Sequence, residues 1–524
     1  MTYINLPNLN NLNLDFNIIY KNDLKSCILK KELLLCNSLH NYLLILKQSI
    51  DEYSEYWDIM KKITNPYEYI HTIVPNHKVS LCKYKPLSRS FFKMIEMINT
   101  FDFLNDRTPI QSFHLAEGPG GFIEAFNYKR KNTNDVYYGM TLINDNINIP
   151  SWKKASHILN SNKNIKLEYG ASKNGDLFLK ENLIYCNKKY AKSMDYITGD
   201  GGFDFSSDFN NQEDVSFKLI LSQIFYALIM QKKGGHFVLK IFDIFKIKTI
   251  EVIYLLCNLY ENVFIFKPNT SRSANSEKYI ICRNYKNNNK RIISNIIENF
   301  DILINQVENI YSLFNIEFNQ LFITKLQEIN AIYGQQQLEN IKNTLGLIRE
   351  LKMLNIEYNL LNYNNYNGIL KYLNISNKIY SHTIDNNDIE KNDTEKNIID
   401  NNDVEKNTIE KNITEKNDVE KNDVEKNDVE KNDAIDRHIV KNNSYDIIIP
   451  ESLDFDLVDF ENSIDNISII KSTKDHTIST ISTKEIFINK YFNKLNMLIN
   501  INMQKSINWC RKHNFTVNKE FLNE

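Results

Sequence analysis

The sequence predicts an α/β domain built on a parallel sheet with helices on both faces, and three observations carry that reading. From Phe113 to Arg283, strand-like and helix-like runs alternate at the spacing of strand–helix–strand units. The short apolar run Phe113-His114-Leu115-Ala116 breaks into the glycine turn Glu117-Gly118-Pro119-Gly120-Gly121-Phe122 and then opens a helix. Such a turn lets backbone N–H groups approach a nucleotide-like ligand closely. One isolated acid, Asp200, and one isolated base, Lys240, stand at the carboxyl ends of strands, where a parallel sheet presents residues to a ligand.

Residues 1–64 read as a helical extension. From Leu24 to about Ile63 apolar residues recur at helical spacing, as in Leu33, Leu34, Cys36, Leu39, Leu43 and Leu44, and the pattern stops at Asn65-Pro66. The α/β domain occupies 65–290. A helix over 88–97 carries Arg89 and Lys93, four apart, on one face. Strands follow at Phe113–Leu115, Val136–Met140, Ile165–Tyr169, Tyr196–Thr198, Phe237–Ile241, Val263–Phe266 and Tyr279–Cys282, with helices from Gly121, over Val215–Met230 and over Ile247–Leu259. Residues 291–380 form a helical extension in which Leu303, Val307, Ile310, Leu313 and Phe314 share a face.

Residues 381–437 are a low-complexity linker. Glu-Lys-Asn recurs every five residues from Glu410 to Asn432, a period that matches neither helix nor strand. No continuous apolar face forms, and the segment is expected to stay solvated and disordered. Apolar and aromatic residues return in 438–524, among them Phe487, Tyr491, Leu495 and Trp509, and predict a small helical segment.

The formal net charge of −2 conceals a basic first 300 residues, net +9, and an acidic remainder, net −11. The basic half also carries the glycine turn, which suits a polyanionic partner such as RNA. Seven cysteines, odd in number and without C-x-x-C spacing, indicate neither a disulfide framework nor a zinc site, and no metal is expected. Met1 is not followed by a basic and then apolar leader, and no apolar run reaches the length of a membrane span. A soluble protein of a reducing, intracellular compartment is the expectation.

Lys240 is embedded in Phe237-Val238-Leu239-Lys240-Ile241-Phe242. A lysine in an apolar strand is a candidate general base, because desolvation favours the neutral amine. Asp200 lies in Thr198-Gly199-Asp200-Gly201-Gly202-Phe203, and Glu277 directly precedes the strand Tyr279–Cys282. Taken singly, Lys93, Asp200, Lys240 and Glu277 read as ordinary turn or surface residues. As a set they need a sheet that makes distant positions converge. No third glycine stands at the spacing of the dinucleotide fingerprint, which disfavours NAD.

In chain order, Lys93, the glycine turn, Asp200, Lys240 and Glu277 resemble the K-D-K-E tetrad of the RrmJ/FtsJ-type 2′-O-methyltransferases. Within that group the chain is similar to the cap-specific mRNA (nucleoside-2′-O)-methyltransferases, through Asn65-Pro66-Tyr67-Glu68, Gly139-Met140-Thr141-Leu142, Asp200-Gly201-Gly202-Phe203, Gln212-Glu213, Gly234-Gly235-His236-Phe237 and the string from Lys267 to Cys282. The similarity covers about residues 60–285. It implies a Rossmann-like, S-adenosylmethionine-dependent methyltransferase sheet and 2′-O-methylation of the ribose of the first or second transcribed nucleotide. By the same resemblance Lys93, Asp200, Lys240 and Glu277 are catalytic, with lysine as general base. S-adenosyl-L-methionine would be contacted by Ala116, Glu117, Gly118, Pro119, Gly120, Gly121, Phe122, Asp176, Leu177 and Asp200. Two departures stand out: the acid that many relatives carry on the first strand is His114 here, and the insert 204–211 differs in length from that of some cap enzymes.

RNA contacts are expected from Lys83, Tyr84, Lys85, Arg89, Gln212, Arg272 and Asn275, the basic groups meeting phosphates and the tyrosine stacking on a cap or base. The implied partner is the capped 5′ end of mRNA, with other capping or transcription components reached through the C-terminal segment, in the cytoplasm, a viral factory or the nucleus. An rRNA 2′-O-methyltransferase would share the tetrad, and a catalytically inactive RNA-binding subunit would share the fold. The cap strings disfavour the first and the intact tetrad the second.

Overall fold

The structure, a computed structural model, describes residues 3–10, 14–23, 35–105, 108–144, 151–203, 210–286, 290–354 and 483–522. The low-complexity linker, residues 355–380 and 438–482, the start of the first helical run and most of the 204–211 insert lie outside the described residues.

The strands among them are β1 (Ile4–Leu6), β2 (Ile19–Tyr20), β3 (Gln111–Leu115), β4 (Val136–Met140), β5 (Ile165–Glu168), β6 (Met194–Gly199), β7 (Gln231–Ile241), β8 (Tyr260–Phe266), β9 (Lys278–Tyr285) and β10 (Ile310–Ser312). One sheet runs β1-β8-β9-β7-β6-β3-β4-β5, and β10 pairs with β2 separately. Strands β5, β4, β3, β6 and β7 are mutually parallel, as the alternating pattern predicts. Strand β9 is not: it runs antiparallel to both β7 and β8, and β1 is antiparallel to β8. The 267–277 loop between β8 and β9 is too short for a crossover, so the chain must turn back as a hairpin. That reversal places the start of β9 at the carboxyl end of β7.

The helices are α1 (Asn37–Gln48), α2 (Ser54–Ile63), α3 (Ser90–Phe101), α4 (Gly121–Arg130), α5 (Ser156–Ser161), α6 (Lys180–Tyr190), α7 (Gln212–Met230), α8 (Ile247–Leu259), α9 (Lys290–Asn305), α10 (Gln320–Met353) and α11 (Thr483–Lys512). The first helical run is split into α1 and α2, where the Ser49 hydroxyl turns back to the Ile45 carbonyl and a 3-10 turn follows at Asp51–Tyr53.

Alternation along the strands divides the core by face. Phe113, Leu115, Phe237, Leu239, Ile280 and Cys282 face α6, α7, α8 and α9. Tyr137, Val238, Tyr279 and Ile281 face α2, α3 and α4. The long α10 serves both sides: Phe322, Leu326 and Ile329 join the first core, and Ile341, Leu345 and Ile348 the second. Helix α11 adds Tyr491, Leu495, Met503 and Trp509 to the second, within the same compact unit as the sheet.

Candidate active site

The strand order reverses between β3 and β6, and a crevice for a ligand forms outside the carboxyl ends of strands at such a switch point. Beyond β3 the backbone turns sharply, with Ala116 at φ 50 and Gly120 at φ 110, both in the left-handed region. Gly121 begins α4, and a Cβ there would lie 2.1 Å from Ser90 Oγ and 2.4 Å from Ser88 Oγ. Glycine therefore lets α4 press against the start of α3. Gly121→Ala is expected to cost about 1–3 kcal/mol through overpacking, read as a lowered thermal midpoint.

The Glu117 carboxylate folds back to accept from Phe122 N at 2.8 Å and Ile123 N at 3.0 Å, closing the first turn of α4. Burial pushes Glu117 up to about 8, while those two N–H groups pull it down. A buried carboxyl of this kind favours a cation beside it.

Asp200 follows β6 directly, and the pairing of Gly199 with Leu239 sets it against Lys240 near the end of β7. Lys240 Nζ lies 3.3 Å from Asp200 Oδ1 and donates to the Asp200 carbonyl at 2.8 Å. Tyr279, opposite Lys240 on β9, donates its hydroxyl to Asp200 Oδ1 at 2.8 Å. Val238, Tyr279 and Ile281 point into the α3-side core, so by alternation Lys240 and Glu277 project toward α3 as well. There Lys93 Nζ meets both Glu277 oxygens, at 2.7 and 2.8 Å.

The structure thus gathers Lys93, Asp200, Lys240 and Glu277 into one cluster at the switch point. Burial lowers Lys93, with Glu277 and Asp200 pulling the other way. Burial would raise Glu277, but Lys93 and Lys240 overcome it and hold that carboxyl well below its usual range.

The other expected residues are placed as follows. Asp176, in the loop after β5, accepts from Phe178 N at 2.8 Å, and the neighbouring Leu177 is buried with its carbonyl bound by Ser222. The ring nitrogens of His114 each lie 2.8 Å from a hydroxyl, Ser112 Oγ on its own strand and Thr198 Oγ1 on β6. This histidine is committed to the sheet interior, and burial lowers it to about 3.

Lys83 and Lys85 are exposed. Tyr84 donates to Glu124 Oε1 at 2.9 Å, and its ring packs among Phe91, Tyr128 and Phe515. Arg89 donates to the Thr270 carbonyl at 2.8 Å, and Arg272 makes a two-pronged contact with Glu68 at 3.0 and 2.6 Å. Gln212 accepts from Ser276 Oγ at 2.9 Å, and Asn275 Oδ1 from Glu277 N at 3.1 Å. These contacts hold the 267–277 loop.

Sequence reasoning missed the acids that anchor this loop. Glu68 and Glu96 are both fully enclosed, Glu68 binding Arg272 and Glu96 binding Asn269 and Thr270. Glu68 had a signal, as the last residue of the Asn65-Pro66-Tyr67-Glu68 string. Glu96 had a weaker one, one helical turn beyond Lys93. On the 272–275 side of the loop lies a cavity of about 140 Å³, lined by Trp57, Lys61, Gln212, Arg272, Asn275 and Gln337 among others. Among the described residues, no group of His, Cys, Asp or Glu is arranged to hold a metal ion, and no helix is long and apolar enough to cross a membrane.

A doubly wound sheet with a glycine turn and an acid on either side of its switch point defines a Rossmann-like α/β fold. The chain matches the FtsJ-like methyltransferase family over residues 86–285. It is 28% identical over 302 residues to the cap-specific mRNA (nucleoside-2′-O-)-methyltransferase 2 of Danio rerio, covering 52% of this chain and 38% of that protein. It is 33% identical over 223 residues to the cap-specific mRNA (nucleoside-2′-O-)-methyltransferase 1 of Homo sapiens, covering 38% of this chain and 26% of that one. The chain thus spans well under half the length of these curated relatives. Among solved structures, a putative ribosomal RNA methyltransferase from Plasmodium falciparum is 19% identical, with a TM-score of 0.28, covering 38% of this chain and 97% of that one. A likeness that low carries no argument.

Proposed function

We propose that the chain transfers a methyl group from S-adenosylmethionine to the ribose 2′-hydroxyl of a cap-proximal nucleotide of mRNA. The convergence of Lys93, Asp200, Lys240 and Glu277 beside the Glu117–Gly121 turn is the observation that carries this reading. The names of the relatives favour a cap substrate over rRNA. The residues present fit the donor: Ala116 to Phe122 form a turn at the N-terminus of α4, the buried Glu117 and nearby Asp200 suit a group bearing positive charge, and Asp176 and Leu177, in the loop after β5, would meet the adenine. When bound, S-adenosylmethionine supplies a methyl group already activated on a sulfonium.

The remaining work falls to the protein. Lys240 Nζ accepts the proton of the 2′-hydroxyl as the oxygen bonds to the methyl carbon and the carbon–sulfur bond breaks. Asp200 and Tyr279 fix the direction of that amine. Lys93, tethered by Glu277, places a second cationic group beside the developing charge. Holding the hydroxyl in line with the donor supplies much of the acceleration. The cavity beside the loop brings Lys61 and Arg272 to one wall, cationic groups suited to a phosphate of the RNA.

The test is methyl transfer from labelled donor to short RNAs carrying either a 5′ N7-methylguanosine cap or a 5′ triphosphate, with nuclease mapping of the modified ribose. The capped RNA is expected to be methylated at least about tenfold faster, because stacking of the cationic base fixes the first ribose near Lys240. Equal rates would reassign the enzyme to RNA substrates without a cap.

A further inference from the structure

The chain beyond residue 482 packs against α3, the helix that carries Lys93. Trp509 of α11 lies edge-on to Phe92 of α3, with ring centres 5.6 Å apart, and stacks on Phe515 at 5.8 Å. After α11 the backbone pairs with 81–83: Lys83 N donates to the Thr516 carbonyl and Asn518 N to the Leu81 carbonyl, each at 2.9 Å. The Trp509 indole N–H donates to Glu96 Oε2 at 3.3 Å.

Glu96 receives its other three hydrogen bonds from the 267–277 loop: Asn269 N at 2.7 Å, Thr270 N at 3.2 Å and Thr270 Oγ1 at 3.1 Å. The far end of that loop is Glu277, whose carbonyl accepts from Lys267 Nζ at 2.8 Å and whose carboxylate meets Lys93. Helix α3 therefore grips the loop twice, with Glu96 at Thr270 and with Lys93 at Glu277. A fully enclosed carboxylate is costly compared with a leucine of similar size, and its value lies in directing donors to one place.

We propose that Trp509 and Glu96 act as a positioning pair, through which the C-terminal segment sets the 267–277 loop and hence Glu277 against Lys93 for methyl transfer. The inference rests on the methyl-transfer reading above. Neither residue touches the reacting atoms. The C-terminal segment is thereby part of the catalytic unit, although more than a hundred residues separate it in sequence from α10.

The test uses the full chain carrying Trp509→Phe, which keeps an aromatic ring and removes the N–H, with Glu96→Gln beside it. On the RNA that the wild type methylates, Trp509→Phe is expected to lower kcat about 5–20-fold while the RNA KM and donor Kd change less than about twofold. Amide hydrogen exchange of the same proteins without RNA is expected to show Asn269, Thr270 and Glu277 exchanging at least about tenfold faster in the variant. A lowered thermal midpoint with kcat unchanged would reduce Trp509 to packing and overturn the proposal. Unchanged exchange at those three amides would overturn it whatever substrate the enzyme proves to use, whereas faster exchange in a protein inactive on capped RNA would sink the substrate reading and leave the positioning intact.

Discussion

Lys240→Ala is expected to lower methyl transfer about 10²–10⁴-fold, the range that a positioned general base contributes, while the donor Kd stays within about twofold. The separation of effects follows from placement. Lys240 is near the end of β7 and bonds Asp200, whereas the glycine turn proposed to hold the donor lies beyond β3 and is closed by Glu117. Removing the side chain leaves Asp200 its bond from Tyr279, so the loop after β6 keeps one anchor. Single-turnover rates on capped RNA, with isothermal titration of the donor, check both halves. An active Lys240→Ala protein with normal circular dichroism would shift the base role to another group.

Glu68→Gln is expected to be the most damaging substitution for stability. The carboxylate is wholly enclosed and takes hydrogen bonds from Asn65 Nδ2 at 2.7 Å, Thr72 Oγ1 at 3.1 Å and both prongs of Arg272, with Arg89 at 4.0 Å. Removing the charge leaves two guanidinium groups facing a neutral amide. Breaking such a pair costs about 3 kcal/mol here, the low end of the range for buried pairs, because both arginines retain some contact with water.

The pH dependence follows from the direction of the shift. Burial would raise Glu68, but the Arg272 hydrogen bonds and the Arg89 charge hold it well below the usual carboxylate value. Its contribution is therefore complete above the unfolded value of about 4.3 and is lost as pH falls toward the lower folded value. Urea melts of the wild type and Glu68→Gln should differ most near pH 7 and converge as the pH is taken well below 4. A difference that stays constant with pH would mean that the lost interaction is packing and not charge.

Much of the fold is written locally. The boundaries of β4 and α8 coincide with the runs Val136–Met140 and Ile247–Leu259, because alternation and helical spacing are properties of neighbours a few residues apart. The glycine turn was legible for the same reason, since a left-handed backbone at Gly120 and the tight seat of Gly121 both call for a missing Cβ. Asp200 and Lys240 could be singled out as polar residues interrupting apolar strand ends.

Other features lacked any local mark. The reversed direction of β9 depends on loop length and on which strand edge is free, and β1 finds β8 across more than two hundred residues. Tyr84 and Arg89 have the composition of RNA contacts, but their immediate partners are Glu124 for one and Thr270 and Glu68 for the other. Charge alone does not reveal an internal partner.

The sequence by itself determined the α/β class, the glycine turn, the four polar residues of the cluster and the segment without an apolar face. Only the tertiary structure decided that Glu68 and Glu96 anchor the 267–277 loop and that Trp509 closes over one of them. The physical reason is range: backbone geometry and periodicity are set by residues within a turn or a pleat, whereas a buried carboxylate finds its donors wherever the packed core brings them, here from Asn269, Thr270 and a helix at the other end of the chain.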